Sequence, residues 1–142
     1  MSAVDFFDAN IILYGLDANA PLAKRRRSEQ LVAEALGQRS AVISWQIVQE
    51  TLNVVTGRFK SGISEADCEQ LLAGILTPLW QVHPSIAIFS RSLAVQRRYC
   101  FSYYDSLVVG AALEAGCKRL LTEDLQHGQK IDGLRIENPF RA

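Results

Sequence analysis

Short apolar segments alternating with stretches of helical spacing predict an α/β fold, because strands joined by crossovers pair in parallel. Val4-Asp5-Phe6-Phe7, Ala41-Val42-Ile43 and Leu120-Leu121-Thr122 read as brief, largely apolar strands. Between them, apolar residues recur three and four apart, as on the inner face of a helix. The expected architecture is a mostly parallel sheet of about five short strands flanked by helices.

Taken in order, the first strand ends at Asp8-Ala9-Asn10, and Ile11-Ile12-Leu13-Tyr14 forms a short helical or irregular apolar turn. Pro21 suits a first helical position, where its missing N–H costs nothing. The helix it opens carries Leu22, Leu31, Val32 and Leu36 and stops at Gly37. Ser44, after the second strand, is a candidate cap for a helix with Val48, Leu52, Val55 and Phe59 on one stripe. Gly57 and Gly62 mark its break. Ser64-Glu65-Ala66-Asp67 has capping-box character and starts a helix carrying Leu71, Leu72 and Ile75. Leu79-Trp80-Gln81-Val82 is a third strand candidate, and Ile86, Phe89 and Leu93 after Pro84 fall at helical spacing. A helix opens at Ser102, sets Leu107, Val108, Ala111, Ala112 and Ala115 on one face, and stops at Gly116. Leu134-Arg135-Ile136-Glu137 completes the sheet as an edge strand.

With 142 residues, 49% of them hydrophobic, the chain is expected to be one domain spanning residues 1–142 with a substantial core. Fifteen Lys and Arg balance fifteen Asp and Glu, so no basic excess argues for nucleic-acid binding; a polyanion would need a local patch or a metal. Cys68, Cys100 and Cys117 are odd in number and lack a C-x-x-C pattern, which favours thiols in a reducing cytosol over disulfides or structural zinc. No signal-like segment opens the chain, and the apolar run Leu107 to Leu113 is too short to span a bilayer. A cytoplasmic protein is expected.

The chemistry lies in carboxylates. Asp8 and Asp124 each follow a strand, at the carboxyl rim where such sheets place their pocket. Glu50 sits opposite the main stripe of its helix, yet Ile47 and Val54 flank it, and a carboxylate on an apolar stripe is costly to bury alone. Asp105 falls in the first turn of its helix, where an acid also suits capping. Glu123 adjoins Asp124. Each has a plain local explanation; several meeting at one rim would repel one another without a cation. Oxygen-only ligation suits magnesium or manganese rather than zinc, and such ions support phosphodiester hydrolysis.

Four segments together resemble the motifs of PIN domains: Phe7-Asp8-Ala9-Asn10-Ile11-Ile12-Leu13-Tyr14, Gln49-Glu50-Thr51-Leu52-Asn53-Val54, Ser102-Tyr103-Tyr104-Asp105-Ser106-Leu107 and Leu121-Thr122-Glu123-Asp124. More narrowly, the chain is similar to VapC-type toxins of bacterial toxin–antitoxin pairs over almost its whole length. The resemblance implies a three-layer α/β fold and a ribonuclease dependent on Mg2+ or Mn2+. It implies metal-holding roles for Asp8, Glu50, Asp105 and Asp124, with Asn10 and Thr122 as supporting polar residues. Glu123 stands where the family usually has a non-acidic residue, which leaves the fourth ligand open between Glu123 and Asp124; Asp124 is preferred. A homodimer and a small antitoxin whose tail covers the acidic site are implied as well.

Lys24-Arg25-Arg26-Arg27 is the sharpest charge run. Most such runs are solvated helix faces; the sharper reading makes Arg25, Arg26 and Arg27 RNA contacts, aided by Arg58 and Lys60. His127, just beyond Asp124, could reach the site. Neither a serine-nucleophile elbow nor a P-loop is present. Two rivals stand beside the nuclease: a non-cleaving RNA- or protein-binding module, and an aspartyl phosphatase. The latter is weakened because Asp8-Ala9-Asn10 has Asn where an Asp-x-Asp pair is expected.

Overall fold

The computed structural model describes residues 4–57 and 63–141. Phe59, Gly62, Arg58 and Lys60 therefore lie outside the described residues. Among the described residues the strands are β1 (Asp5–Phe7), β2 (Ala41–Ser44), β3 (Trp80–Val82), β4 (Arg119–Leu121), β5 (Lys130–Ile131) and β6 (Leu134–Glu137). They form one sheet in the order β3-β2-β1-β4-β6-β5. Every pairing is parallel except β5 with β6.

Helices α1 (Ala9–Leu16) and α2 (Leu22–Gln38) link β1 to β2. After β2 come α3 (Trp45–Gly57), α4 (Glu65–Leu71), a π-helical turn (Leu72–Leu76) and α5 (Thr77–Leu79). Helices α6 (Ile86–Tyr99) and α7 (Tyr103–Glu114) lead from β3 to β4. The chain steps outward from β1 to β3, then returns to place β4 on the other side of β1. Right-handed crossovers running in opposite directions put the two helix groups on opposite faces, giving three layers. The order reverses between β1 and β4, so the crevice of the fold opens beyond Phe7 and Leu121.

The core fills both faces of the sheet. Phe6, Ile43, Leu120 and Ile136 are fully buried, with Ile11, Ile47 and Val109 from the helices. At the opposite strand ends, the Arg119 guanidinium forks onto Asp5 at 2.6 and 2.9 Å and reaches Glu137 at 2.8 Å. It ties β4 to β1 and β6, which flank it.

Several elements differ from expectation for local reasons. Pro21 is the N-cap of α2 rather than its first helical residue. Ser44 ends β2 and runs directly into α3; its buried hydroxyl has no partner among the described residues and does not cap. Helix α7 is buried on all sides from Ser106 to Ala112, while Ala115 is exposed, so its sequence carries no single apolar face. Gly110 makes that burial possible: a Cβ there would meet the Ser92 Oγ at 2.1 Å and the Ser92 backbone at about 3.0 Å. On α6 the buried face is Ile88, Ser92 and Val95, whereas Ile86 is 89% exposed and Phe89 and Leu93 also face solvent. Finally, β6 lies inside the sheet; the edge is β5, joined to it through Asp132-Gly133, both at positive φ as a two-residue hairpin turn requires.

Candidate active site

Asp8 is fixed by the strand-to-helix corner at the crevice. Its N–H donates to the Leu121 carbonyl at 3.0 Å, continuing the β1–β4 ladder by one residue. Its carboxylate caps α1, accepting from the Ala9 N–H at 2.8 Å on Oδ1 and from the Thr122 hydroxyl at 2.7 Å on Oδ2. The same Thr122 oxygen accepts from the Asp124 N–H at 3.1 Å. One fully buried hydroxyl thus sets the carboxylate after β1 and the backbone bearing the carboxylate after β4.

Glu50 projects from the middle of α3, half-buried, and its Oε1 accepts from the Gln46 amide at 2.9 Å. Gln46 also donates to the Tyr104 carbonyl at 3.2 Å, which ties α3 to the first turn of α7. That turn starts at Ser102, whose hydroxyl accepts from the Asp105 N–H at 3.1 Å, so Asp105 stands at the positive end of α7.

The carboxylates share one field. Burial pushes the Asp8 carboxyl up to about 7, against the opposing hydrogen bonds from Thr122 and Ala9, and the charges of Asp124 and Glu50 add to the rise. Partial burial raises Glu50, with Asp105 and Asp124 contributing. Asp124, the most exposed by residue area, is still raised, first by partial desolvation and then by Asp105 and Glu123. Burial is the larger cause throughout, and the added charge effects link these carboxylates in one neighbourhood.

Glu123 belongs elsewhere. Its Oε2 accepts from the Lys24 ammonium at 2.6 Å and its Oε1 accepts from the Tyr14 hydroxyl. Although partial burial acts upward, these two donors hold the Glu123 carboxyl below its ordinary range. Both Glu123 oxygens are thus engaged, and Glu123 acts as an anchor for Lys24.

A cavity of about 350 Å³ opens between these elements, its lining including Asp8, Asn10, Tyr14, Glu50, Glu123 and Asp124. The Asn10 Oδ1 is buried there with no hydrogen-bond partner among the described residues. A larger concavity, about 610 Å³, lies at the opposite strand ends around Arg119 and Lys130. Its principal cation is already matched by Asp5 and Glu137.

A divalent ion fits the chemistry of the donor set: oxygen-only side chains, an orphaned amide oxygen, and a carboxyl that burial, with the neighbouring acids adding to it, pushes up to about 7. Among the described residues, however, no three acidic, His or Cys side chains are drawn close enough to form a finished ligand cage. Both Asp8 oxygens accept hydrogen bonds here, from Ala9 and Thr122.

A PIN-domain family model matches residues 6–131. The chain belongs to the PIN domain family. No curated protein matches the sequence. Among solved structures, the chain is similar to a toxin–antitoxin complex from Klebsiella pneumoniae at 20% identity and a TM-score of 0.67, with 97% of this chain and 98% of that one covered. It is also similar to DNA-bound VapBC from Salmonella typhimurium, at 17% identity, a TM-score of 0.65 and coverages of 97% and 99%. A third likeness is to Mycobacterium tuberculosis VapC20, described as a sarcin–ricin-loop-cleaving toxin, at 16% identity, a TM-score of 0.58 and coverages of 84% and 91%. These likenesses support the PIN fold along nearly the whole chain.

Within that fold, Asp8, Glu50 and Asp124 line one cavity with Asn10, Thr122 bonds to Asp8, and Asp105 acts on the cluster through its charge from the first turn of α7. The arginines of the basic run separate: Arg25 is partly buried with its Nε unpartnered, Arg26 is exposed, and Arg27 donates to the Pro139 carbonyl and to Gln30. His127 is held at the C-terminal segment, its Nδ1 accepting from the Asn138 N–H at 3.0 Å. Sequence reasoning missed Gln46, although its position one helical turn before Glu50 is the ordinary spacing for side-chain contact. It also missed the Tyr14–Lys24–Glu123 clamp, which joins residues too distant in the chain for any local pattern to reveal.

Proposed function

We propose that this PIN domain is an endoribonuclease dependent on magnesium or manganese, acting as the toxin of a toxin–antitoxin pair. The convergence of Asp8, Glu50 and Asp124 on one cavity carries the reading, because carboxylates drawn from separate elements into one partly buried site are gathered where a cation is to be held. Asp8, Asp105, Asp124 and Glu50 would hold the metal. Bound there, such an ion supplies positive charge to the phosphoryl oxygens and activates water for in-line attack.

The chain's own groups supply position. Thr122 keeps Asp8 and Asp124 in fixed relation across the β1–β4 crevice. Gln46 aims Glu50, leaving its Oε2 free to accept a hydrogen bond from the attacking water. Asn10 offers an uncompensated oxygen to a cation or its hydration shell. Arg25, Arg26 and Arg27 on α2 are candidate RNA contacts.

A small antitoxin is the proposed partner, supported by the likeness to toxin–antitoxin complexes. Its tail would cover the acidic cavity. A homodimer is proposed through α6, where Ile86, Phe89 and Leu93 leave a contiguous apolar stripe in water. Among the described residues no helix is long and apolar enough to cross a membrane. Cytoplasmic RNA is the proposed substrate pool.

The test is cleavage of a mixed RNA pool with magnesium or manganese, comparing the native chain with Asp8→Asn. Cutting that stops with EDTA and is lost in the variant is expected. Equal cutting by both would remove Asp8 from the centre, and no cutting by either would favour a binding module.

A further inference from the structure

Behind the Lys24–Glu123 pair lies a second concavity, about 450 Å³, between the start of α2 and the C-terminal segment. Its walls are Ala23, Lys24 and Arg27 on one side and Pro139, Phe140 and Arg141 on the other. Tyr14 and Glu123 line the acidic cavity and Lys24, bonded to both, lines this one, so the two concavities adjoin at the Lys24–Glu123–Tyr14 clamp. Among the described residues, three cations and no carboxylate line this groove. Among the described residues neither Arg27 nor Arg141 makes an ion pair.

The groove is built rather than incidental. The Arg27 Nε donates to the Pro139 carbonyl at 3.4 Å and Nη1 donates to Gln30 at 3.2 Å, which fixes the guanidinium against the opposite wall. Phe140 packs edge-on to Tyr14 at 4.9 Å between ring centres. Lys24 lies 4.8 Å from the centre of the Tyr14 ring and donates to the Tyr14 hydroxyl at 3.3 Å and to Glu123 at 2.6 Å. An ammonium has three donors. Two are committed to the clamp, and the third remains for an oxygen outside it. A flexible lysine is thereby held where the acidic cavity ends and the basic groove begins.

We propose that this groove is a phosphate-binding subsite that takes the RNA backbone flanking the reacting phosphodiester, with Lys24 as the contact between subsite and acidic cavity. The proposal rests on the nuclease reading above and adds to it a path for the strand. An arrangement of one acidic cavity and one basic groove separates two tasks. Carboxylates serve the reacting phosphate through a cation, and guanidinium groups hold its neighbour directly. Glu123, in this account, is a positioning residue for Lys24.

The experiment is binding of a mixed-sequence single-stranded RNA 20-mer to the Asp124→Asn chain across a salt series, with cleavage of the same RNA by the chain carrying Asp124. Lys24→Gln and Arg27→Gln are each expected to weaken binding several-fold and to flatten the plot of log Kd against log salt by about 0.7, the release expected for one single-strand phosphate contact. Lys24→Arg should retain most of the affinity. Lys130→Gln, at the far end of the sheet, should leave both slope and affinity unchanged. Cleavage with unaltered binding in the Lys24 and Arg27 variants would overturn the subsite while leaving the nuclease standing. Salt-dependent binding weakened by those variants but without cleavage would keep the subsite and overturn the nuclease. If the variants spare RNA binding but abolish binding of poly-glutamate, the groove belongs to an acidic protein partner, and the RNA assignment falls. Absence of any RNA binding overturns both.

Discussion

Replacing Asp8 with Asn should make the metal-free protein more stable at pH 8 and nearly unchanged at pH 5. The unfolded chain ionises Asp8 at its ordinary value of 3.8, whereas the folded chain keeps the proton until about 7. The contribution is therefore fully present below pH 3.8, declines as the unfolded state ionises, and is lost once pH passes 7. At about 1.36 kcal/mol per pH unit, the interval corresponds to about 4 kcal/mol of stability lost by the native sequence. Asparagine carries no such titration. It keeps an oxygen for the Ala9 N–H but perturbs the Thr122 hydrogen bond, a cost of about 1 kcal/mol. A net gain of about 3 kcal/mol at pH 8 follows from these magnitudes. The assay is urea denaturation in EDTA at constant ionic strength, followed by fluorescence of Trp45 and Trp80, at intervals from pH 5 to 8. Adding magnesium or manganese should restore stability to the native chain more than to the variant, because only a ligand that binds the folded state shifts the transition. Parallel pH profiles for the two chains would refute the reasoning, since Glu50 and Asp124 remain in both and only Asp8 differs.

Other consequences concern neighbouring residues. Thr122→Val keeps the shape but removes the hydroxyl shared by Asp8 and the Asp124 N–H; a loss of roughly 1–3 kcal/mol is expected, with an upward shift of the alkaline-side stability loss. Thr122→Ser should reverse both, and urea melts at two pH values decide it. Gly110→Ala should cost roughly 1–3 kcal/mol through overpacking against Ser92. Adding Ser92→Ala should recover only part, since the Ser92 backbone also lies about 3.0 Å from the new methyl; a full recovery in thermal melts would refute that account. The homodimer proposed through α6 predicts that the native chain sediments as a dimer and Phe89→Glu as a folded monomer; an unchanged sedimentation coefficient would remove α6 from the interface.

Much of this molecule was legible because its signals are local. The caps at Ser64 and Ser102, the stop at Gly116 and the strands flanking Asp8 and Asp124 all follow from short-range rules, and the structure places them accordingly. Strand β5 was missed despite a usable sign, Asp132-Gly133 between Ile131 and Leu134, because a two-residue strand gives no periodicity to detect. The helix α6 was legible, but the direction of its stripe was not, for a different reason. Helical spacing reveals that Ile86, Phe89 and Leu93 share a face, but spacing is silent on whether that face meets the core or another surface. The sheet had already been covered on this side by α7, which is so apolar that it is buried all round, and α6 needs only the narrow face of Ile88, Ser92 and Val95 to seat against it. An apolar face left over after the core is complete costs solubility unless something covers it. Glu123 shows the same limit in the site itself. Its position beside Asp124 suggested a rival ligand, and only the arrival of Tyr14 and Lys24 from distant parts of the chain turns it away. Sequence proximity left it open as a rival to the preferred Asp124; the hydrogen bonds tie it to the lysine, and with that the acidic cavity acquires its basic neighbour.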